Sequence, residues 1–210
     1  MISEELQNLL LQYCEPEDEL LKHIDRETNL KVLMPRMLSG HYQGRVLSML
    51  SKMNNPKRIL EIGTFTGYAT LCLAEGLTAD GIIYTLDINA ELEDMVRGNF
   101  AKSPLNPQIK YIIGDAQQSI KSLKDEVFDI VFIDADKKNN GTYYNLIFDQ
   151  VKPGGIIIVD NVLWSGKILN KAQDKDTKNI SNFNDEIAAD QRVEKLILPV
   201  RDGLFVIRKK

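Results

Sequence analysis

The fold of this chain is decided by the stretch RILEIGTFTGYAT, residues 58–70, in which a short apolar run leads through two glycines into a helix-like segment. Near-continuous apolar runs, such as residues 58–63, are typical of strands in a parallel sheet that is covered on both faces. Gly63 and Gly67 allow the backbone to turn sharply before a helix begins. The stretch therefore predicts the first strand, turn and helix of a βαβ unit.

Downstream of this stretch, apolar β-branched runs alternate with segments of helical periodicity. Further strands are predicted at residues 82–87, 109–114, 128–134 and 155–161, and two more at 193–200 and 204–209. Arg201, Asp202 and Gly203 join the last two runs, and their turn chemistry favours an antiparallel hairpin at one sheet edge. The pattern predicts an α/β fold: a Rossmann-like, doubly wound, seven-stranded and mostly parallel sheet that ends in that hairpin.

The N-terminal part differs in kind, because residues 1–55 show helical periodicity without strand-like runs. A chain of 210 residues suits one core, since domains commonly have about 100–200 residues. We therefore predict a single domain over residues 1–210. It comprises an N-terminal helical extension (1–55) and a cofactor-binding α/β core (56–210).

Composition and charge exclude several classes of protein. Hydrophobic residues make up 43% and charged residues 27%, and no apolar run approaches the roughly 20 residues that span a bilayer. The formal charge of −4 disfavours binding to a phosphate backbone, so we expect no nucleic-acid or membrane partner. The two cysteines form no CxxC pair and the N-terminus does not resemble a signal peptide. We expect a cytoplasmic protein with reduced thiols.

Acidic residues lie at several ends of the predicted strands, where ligands bind in open α/β sheets. Asp87 lies 24 residues after Gly63, close to the offset of about 20 residues at which an acid binds ribose hydroxyls. Asp115 and the backbone N–H of Ala116 follow the third strand, where an adenine edge could be bound. Each acid could instead cap a helix, which is the commoner role of an Asp after a strand.

Glu61 discriminates between nucleotide ligands. Its carboxylate next to the glycine turn would repel a pyrophosphate and attract a ligand that carries an ammonium group. The turn also lacks the GxGxxG pattern, and Tyr68 stands where a P-loop has lysine. These features argue against NAD and favour S-adenosylmethionine.

Oxygen donors follow the fourth and fifth predicted strands. Asp134 and Asp136 end one strand, and Asp160 and Asn161 end the next. Neighbouring acids repel one another, and a hard divalent cation relieves that repulsion, which suits Mg²⁺ and tolerates Ca²⁺ or Mn²⁺. No Cys or His joins the set, which argues against zinc. The alternative is that Asp136 and Asn161 cap the helices that follow.

The stretches LEIGTFTGYAT, TLDIN, GDA, FIDADK and VDNVLW occur in this order. In this combination the chain resembles the cation-dependent class I O-methyltransferases, the caffeoyl-CoA and catechol group, over nearly its whole length. The resemblance implies cofactor contacts from Ser39, Glu61, Gly63, Thr64, Phe65, Asp87, Ala116 and Asp136. Gly67, Asp115 and Asp134 complete the candidate cofactor set. One departure is Ala69, where relatives usually carry Ser.

The resemblance also implies the chemical roles. It makes Asp134, Asp160 and Asn161 the ligands of a cation, with Asp134 and Lys137 as the catalytic pair. Lys137, three residues after Asp134, is the candidate general base, because a divalent charge nearby favours its neutral form. The alternative for Lys137 is a solvated surface lysine.

The predicted acceptor pocket is bordered by Lys137, Trp164 and Ser165, although Trp164 could equally serve in packing. A vicinal diphenol, or catechol-like molecule, fits the open coordination positions of such a cation. Residues 170–185 predict a solvated loop and then a helix capped near Ser181, and the resemblance makes this loop a substrate-selecting flap.

The predicted activity is methyl transfer from S-adenosylmethionine to a cation-bound hydroxyl of a small molecule. The alternatives are a metal-independent methyltransferase acting on small molecules or RNA, a non-catalytic cofactor-binding protein, and a nicotinamide oxidoreductase. Apolar N-terminal helices and the terminal hairpin favour a homodimer.

Overall fold

The central sheet has seven strands in a computed structural model that describes residues 4–210; residues 1–3 of the predicted helical extension lie outside the described residues. The strands are β1 (Arg58–Ile62), β2 (Ile82–Asp87), β3 (Ile109–Ile113), β4 (Phe128–Ile133), β5 (Val151–Asp160), β6 (Val193–Leu198) and β7 (Leu204–Lys209). Their order in the sheet is β3-β2-β1-β4-β5-β7-β6. All neighbours are parallel except β7, which is antiparallel to both β5 and β6. The predicted fold class is confirmed.

Helices cover both faces of this sheet. They are α1 (Glu4–Leu11), α2 (Glu19–Lys31), α3 (Gly40–Asn54), α4 (Tyr68–Ala74), α5 (Glu93–Ala101), α6 (Ala116–Ser122), α7 (Asn140–Ile147) and α8 (Lys175–Ala189). Side chains alternate along each strand, so Ile59 joins the core under α2 to α5, whereas Leu60 joins the core under α6 to α8. This double coverage explains why the strands are apolar on both faces.

Two element boundaries differ from the predictions by more than two residues. The helix predicted near Ser181 begins at Lys175, because Asp174 caps it by accepting the backbone N–H of Thr177 at 2.8 Å. Ser181 lies within α8, so the predicted cap was wrong. The last parallel strand, β5, begins at Val151 instead of 155, since its pairing with β4 contains an irregularity around Pro153 and the glycines that follow.

The direction of winding changes at β1, the strand between β2 and β4. Strand order reverses at this point, and the carboxyl ends of β1, β2, β4 and β5 meet along one edge of the sheet. In open α/β sheets this is where a crevice forms. No helix within residues 4–210 is long and apolar enough to cross a membrane.

Candidate functional site

A cavity of about 1390 Å³ opens at the carboxyl ends of the parallel strands. It is lined by many of the predicted site residues: Gly63, Phe65, Asp87, Asp115, Ala116, Asp134, Asp136, Lys137, Asp160, Asn161, Trp164 and Ser165. Ser39 and Thr64 line a small adjoining space that shares Gly63, Phe65 and Asp134 with the cavity. The fold thus brings together residues that are distant in the sequence.

Glycine is required at two positions after β1, because neighbouring parts of the chain leave no room there for a side chain. Gly63 has a φ of +105°, and a Cβ at this position would lie 2.7 Å from the carbonyl carbon of Asp134. Gly67 has a φ of +86°, and its Cβ would lie 2.5 Å from Cε1 of the Phe100 ring. Gly67 lines neither the cavity nor the adjoining space. The close approach at Gly63 brings the end of β1 against the end of β4, which places the glycine turn beside Asp134.

Asp87 is held in place by two backbone donors. Its Oδ2 accepts the N–H of Phe65 at 2.7 Å, and its Oδ1 accepts the N–H of Asn89 at 2.9 Å. Asp115 accepts the N–H of Gln118 at 3.0 Å and caps α6, so the helix-cap alternative is confirmed for this residue. Both acids also line the cavity, because a cap uses only part of a carboxylate's four acceptor sites.

Glu61 lies behind the glycine turn and is fully buried. Its Oε2 accepts hydrogen bonds from the hydroxyls of Thr70 and Thr85, the latter at 2.6 Å. Its Oε1 has no hydrogen-bond partner among residues 4–210. Burial raises the pKa of Glu61 to about 8, against the opposing effect of the two hydroxyls. Direct contact between Glu61 and a cationic ligand stays a prediction, since Glu61 does not line the cavity.

The predicted cation ligands lie at the ends of adjacent strands. Asp160 is buried; its Oδ1 accepts the backbone N–H of Asn161 at 2.7 Å and its Oδ2 accepts Nε2 of Gln43 at 2.9 Å. Burial and the neighbouring Asp134 carboxylate raise the pKa of Asp160. In the described part of the chain, no three His, Cys, Asp or Glu side chains form a metal-binding group. The predicted set has two carboxylates and an amide, a donor chemistry that fits a hard cation.

Lys137 forms an ion pair with Asp134, with 2.9 Å between Nζ and Oδ1. Its side chain is only 13% exposed, so the alternative of a solvated surface lysine is wrong. Asp136 accepts the hydroxyl of Tyr143 at 2.6 Å and makes no helix-cap hydrogen bond. The 3₁₀ segment after β5 begins at Trp164, so Asn161 does not cap it. The helix-cap alternative therefore fails for both Asp136 and Asn161.

Three contributors were missed by the sequence analysis. Gln43 on α3 donates a hydrogen bond to Asp160. A polar residue on the buried face of a helix was the feature of the sequence that indicated such a contact. The Arg201 guanidinium donates to the carbonyls of Leu38 and Ser39, and Asp202 accepts the N–H of Ser165. The turn between β6 and β7 therefore fixes two loops of the cavity wall. Nothing in the local pattern of that turn indicated those contacts.

Comparisons with known proteins found a matching family model, similar proteins and similar solved structures. A model of the O-methyltransferase family matches residues 12–210. Caffeoyl-CoA O-methyltransferase from Mesembryanthemum crystallinum is 35% identical over 205 residues, which cover 92% of this chain and 80% of that protein. The O-methyltransferase from Bacillus cereus, solved in complex with SAH, has a TM-score of 0.88 at 32% identity and covers 96% of this chain and 97% of its own. SAH-bound PaMTH1 from Podospora anserina has a TM-score of 0.88 at 28% identity, covering 100% and 97%.

Proposed function

This chain belongs to the O-methyltransferase family, and on that premise we propose that it methylates one hydroxyl of a vicinal diphenol with S-adenosylmethionine as the donor. In this proposal Asp134, Asp160 and Asn161 bind a divalent cation, Mg²⁺ in the first place. The observation that carries it is the pair of carboxylates at the ends of β4 and β5, in one cavity with a paired lysine.

The cation, when bound, would supply a positive charge that favours an ionised hydroxyl and would hold two adjacent oxygens. The chain's own residues account for the rest. A cation on Asp134 would replace Lys137 as the partner of that carboxylate and favour the neutral amine of Lys137. The neutral Nζ of Lys137 would then accept the proton that the hydroxyl loses. The oxygen would then form a bond to the methyl carbon while the bond from that carbon to sulfur breaks, which leaves a neutral thioether. Most of the acceleration would come from positioning.

The proposed cofactor site lies on the other side of the cavity. Asp87 is rigidly held and has acceptor sites left for two ribose hydroxyls. An ammonium group of the ligand close to Glu61 would favour its ionised form, and the unpartnered Oε1 would then be a buried acceptor for that group, directly or through a water molecule. Ala69 stands where members of the resembled family usually carry serine. It lines the small space next to the cavity that Ser39 and Thr64 also line.

The test is a transfer assay with methyl-labelled S-adenosylmethionine and a panel of vicinal diphenols, with RNA as a second class of acceptor. We expect turnover of a diphenol that a chelator abolishes and added Mg²⁺ restores, and we expect Asp160→Ala to lose activity. Full activity without metal, or labelling of RNA alone, would contradict the proposal. A thermal shift with S-adenosylhomocysteine and none with NAD would support the cofactor assignment independently.

A homodimer is proposed as the assembly. Large apolar side chains are exposed on α3 and on β6, among them Met49 (57%), Met53 (76%) and Leu196 (54%). Exposed apolar surface of this kind is typical of an interface between copies. Light scattering coupled to gel filtration measures the mass directly, and a mass of one chain at micromolar concentration would contradict the dimer.

A further inference from the structure

The bond between Gln43 and Asp160 joins two distant parts of the chain. Gln43 lies on α3, in the N-terminal helical segment, and Asp160 lies at the end of β5, 117 residues later. The side chain of Gln43 is fully buried, and its Nε2 donates to Oδ2 of Asp160 at 2.9 Å. A helix outside the sheet therefore contacts a proposed cation ligand directly.

Packing alone does not explain a glutamine at this position. A buried amide is costly unless it is hydrogen-bonded, and an apolar residue of similar volume would fill the space without that cost. The Oε1 atom of Gln43 has no partner among the described residues. The hydrogen bond to Asp160 is thus the interaction that accounts for the amide.

This bond completes the support of the Asp160 carboxylate. One oxygen accepts the backbone N–H of Asn161 and the other accepts Gln43, so both ends of the group are held. Each carboxylate oxygen keeps a further lone pair, and a cation can still bind. Partners of this kind orient a ligand before the metal arrives and reduce the entropy that binding would otherwise lose.

We propose that Gln43 is a positioning residue for the divalent cation, which it supports by holding Asp160. The inference rests on the proposed function, because it assumes that Asp160 binds a cation. Loss of an outer partner typically weakens metal binding about 10- to 100-fold. We expect a loss of that size for the variant Gln43→Met, which keeps the volume and removes the donor.

The experiment measures the affinity for Mn²⁺ alone, from the free-ion signal in electron paramagnetic resonance. Wild type is compared with Gln43→Met and with Ser51→Ala, a matched control on the same buried face of α3. Ser51 donates to the carbonyl of Leu73 at 2.6 Å and does not contact Asp160. We expect the control to bind Mn²⁺ within about twofold of wild type, because it is independent of the site.

The outcomes separate this inference from the proposed function. Equal Mn²⁺ affinity in wild type and Gln43→Met would overturn the role of Gln43 and leave the cation site standing. Equal weakening in Gln43→Met and Ser51→Ala would overturn it as well, because general loosening of α3 would explain both. Absence of Mn²⁺ binding by wild type would overturn both claims. If Gln43→Met does not fold, Gln43→Asn, which withdraws the amide from Asp160, carries the same expectation.

Discussion

The substitution Glu61→Gln should change how the stability of this protein depends on pH. Glu61 is fully buried, and its pKa is raised from an ordinary 4.5 to about 8 in the folded chain. Between these two values the folded chain binds a proton at Glu61 and the unfolded chain does not. The free energy of unfolding therefore falls as pH rises through this window.

The magnitude follows from the two pKa values. A difference of about 3.5 corresponds to about 5 kcal/mol, at 1.36 kcal/mol for each pH unit. The amide introduced by Glu61→Gln would not titrate, and its oxygen can still accept the hydroxyls of Thr70 and Thr85. The stability of Glu61→Gln relative to wild type should therefore rise with pH, by up to about 4 kcal/mol between pH 5 and pH 8. Other acids titrate in both proteins and cancel in the difference.

Urea unfolding at pH 5, 6, 7 and 8 measures this difference, and Glu75→Gln is the matched control. Burial acts to raise the pKa of Glu75, but hydrogen bonds from Arg45, Lys52 and Ser48 outweigh it and lower that pKa. Glu75 is then ionised in both states above pH 5, so its substitution should cost the same at every pH tested. Parallel stability curves for wild type and Glu61→Gln would refute the reasoning.

Four further predictions concern the glycine turn, an exposed position in α5, the proposed base and the cavity wall. Gly63→Ala should lower the free energy of unfolding in urea by more than about 2 kcal/mol, because a positive φ and the Asp134 backbone both oppose a Cβ. Gly98→Ala, with open space around its Cβ in α5, should instead raise it by about 0.5–1 kcal/mol. Lys137→Met should lower kcat about 10²- to 10⁴-fold in the labelled-methyl assay while leaving S-adenosylhomocysteine affinity intact. Arg201→Met should raise the KM for S-adenosylmethionine about tenfold or more, because the charged hydrogen bonds to the carbonyls of Leu38 and Ser39 in the cavity wall are lost. An unchanged KM would contradict that role of Arg201.

The strands were predictable because their apolar, β-branched runs are long and bounded by clear turn residues. The predicted start of a helix was wrong where two residues of the sequence could each cap it. Asp174 and Ser181 are both acceptable helix caps, and only the packing of Ile180 and Phe183 against the core shows that the helix already runs through Ser181. Local sequence does not contain that packing information.

The acids of the site were predictable for a topological reason. The carboxyl ends of parallel strands meet at one edge, so Asp87, Asp134 and Asp160 had to lie along the same edge of the sheet once the strands were assigned. The environment of Glu61 was not predictable, because it depends on Thr70 and Thr85, which face it from a helix and a neighbouring strand. Whether a particular side chain is buried depends on how the helices pack against the sheet.

The helical segment before residue 56 is part of the site as well as a cover for the sheet. Gln43 holds Asp160, Ser39 lines the space beside Gly63, and Thr28 on α2 donates to Thr66 in the glycine turn at 3.0 Å. Ile24 and Leu47 are fully buried in the core on the same side of the sheet. The change in sequence pattern near residue 55 therefore does not divide the chain into a part that forms the site and a part that only stabilises the fold. Removing these helices would expose core side chains and leave Asp160 without one of its two donors, so stability and ligand binding should be lost together.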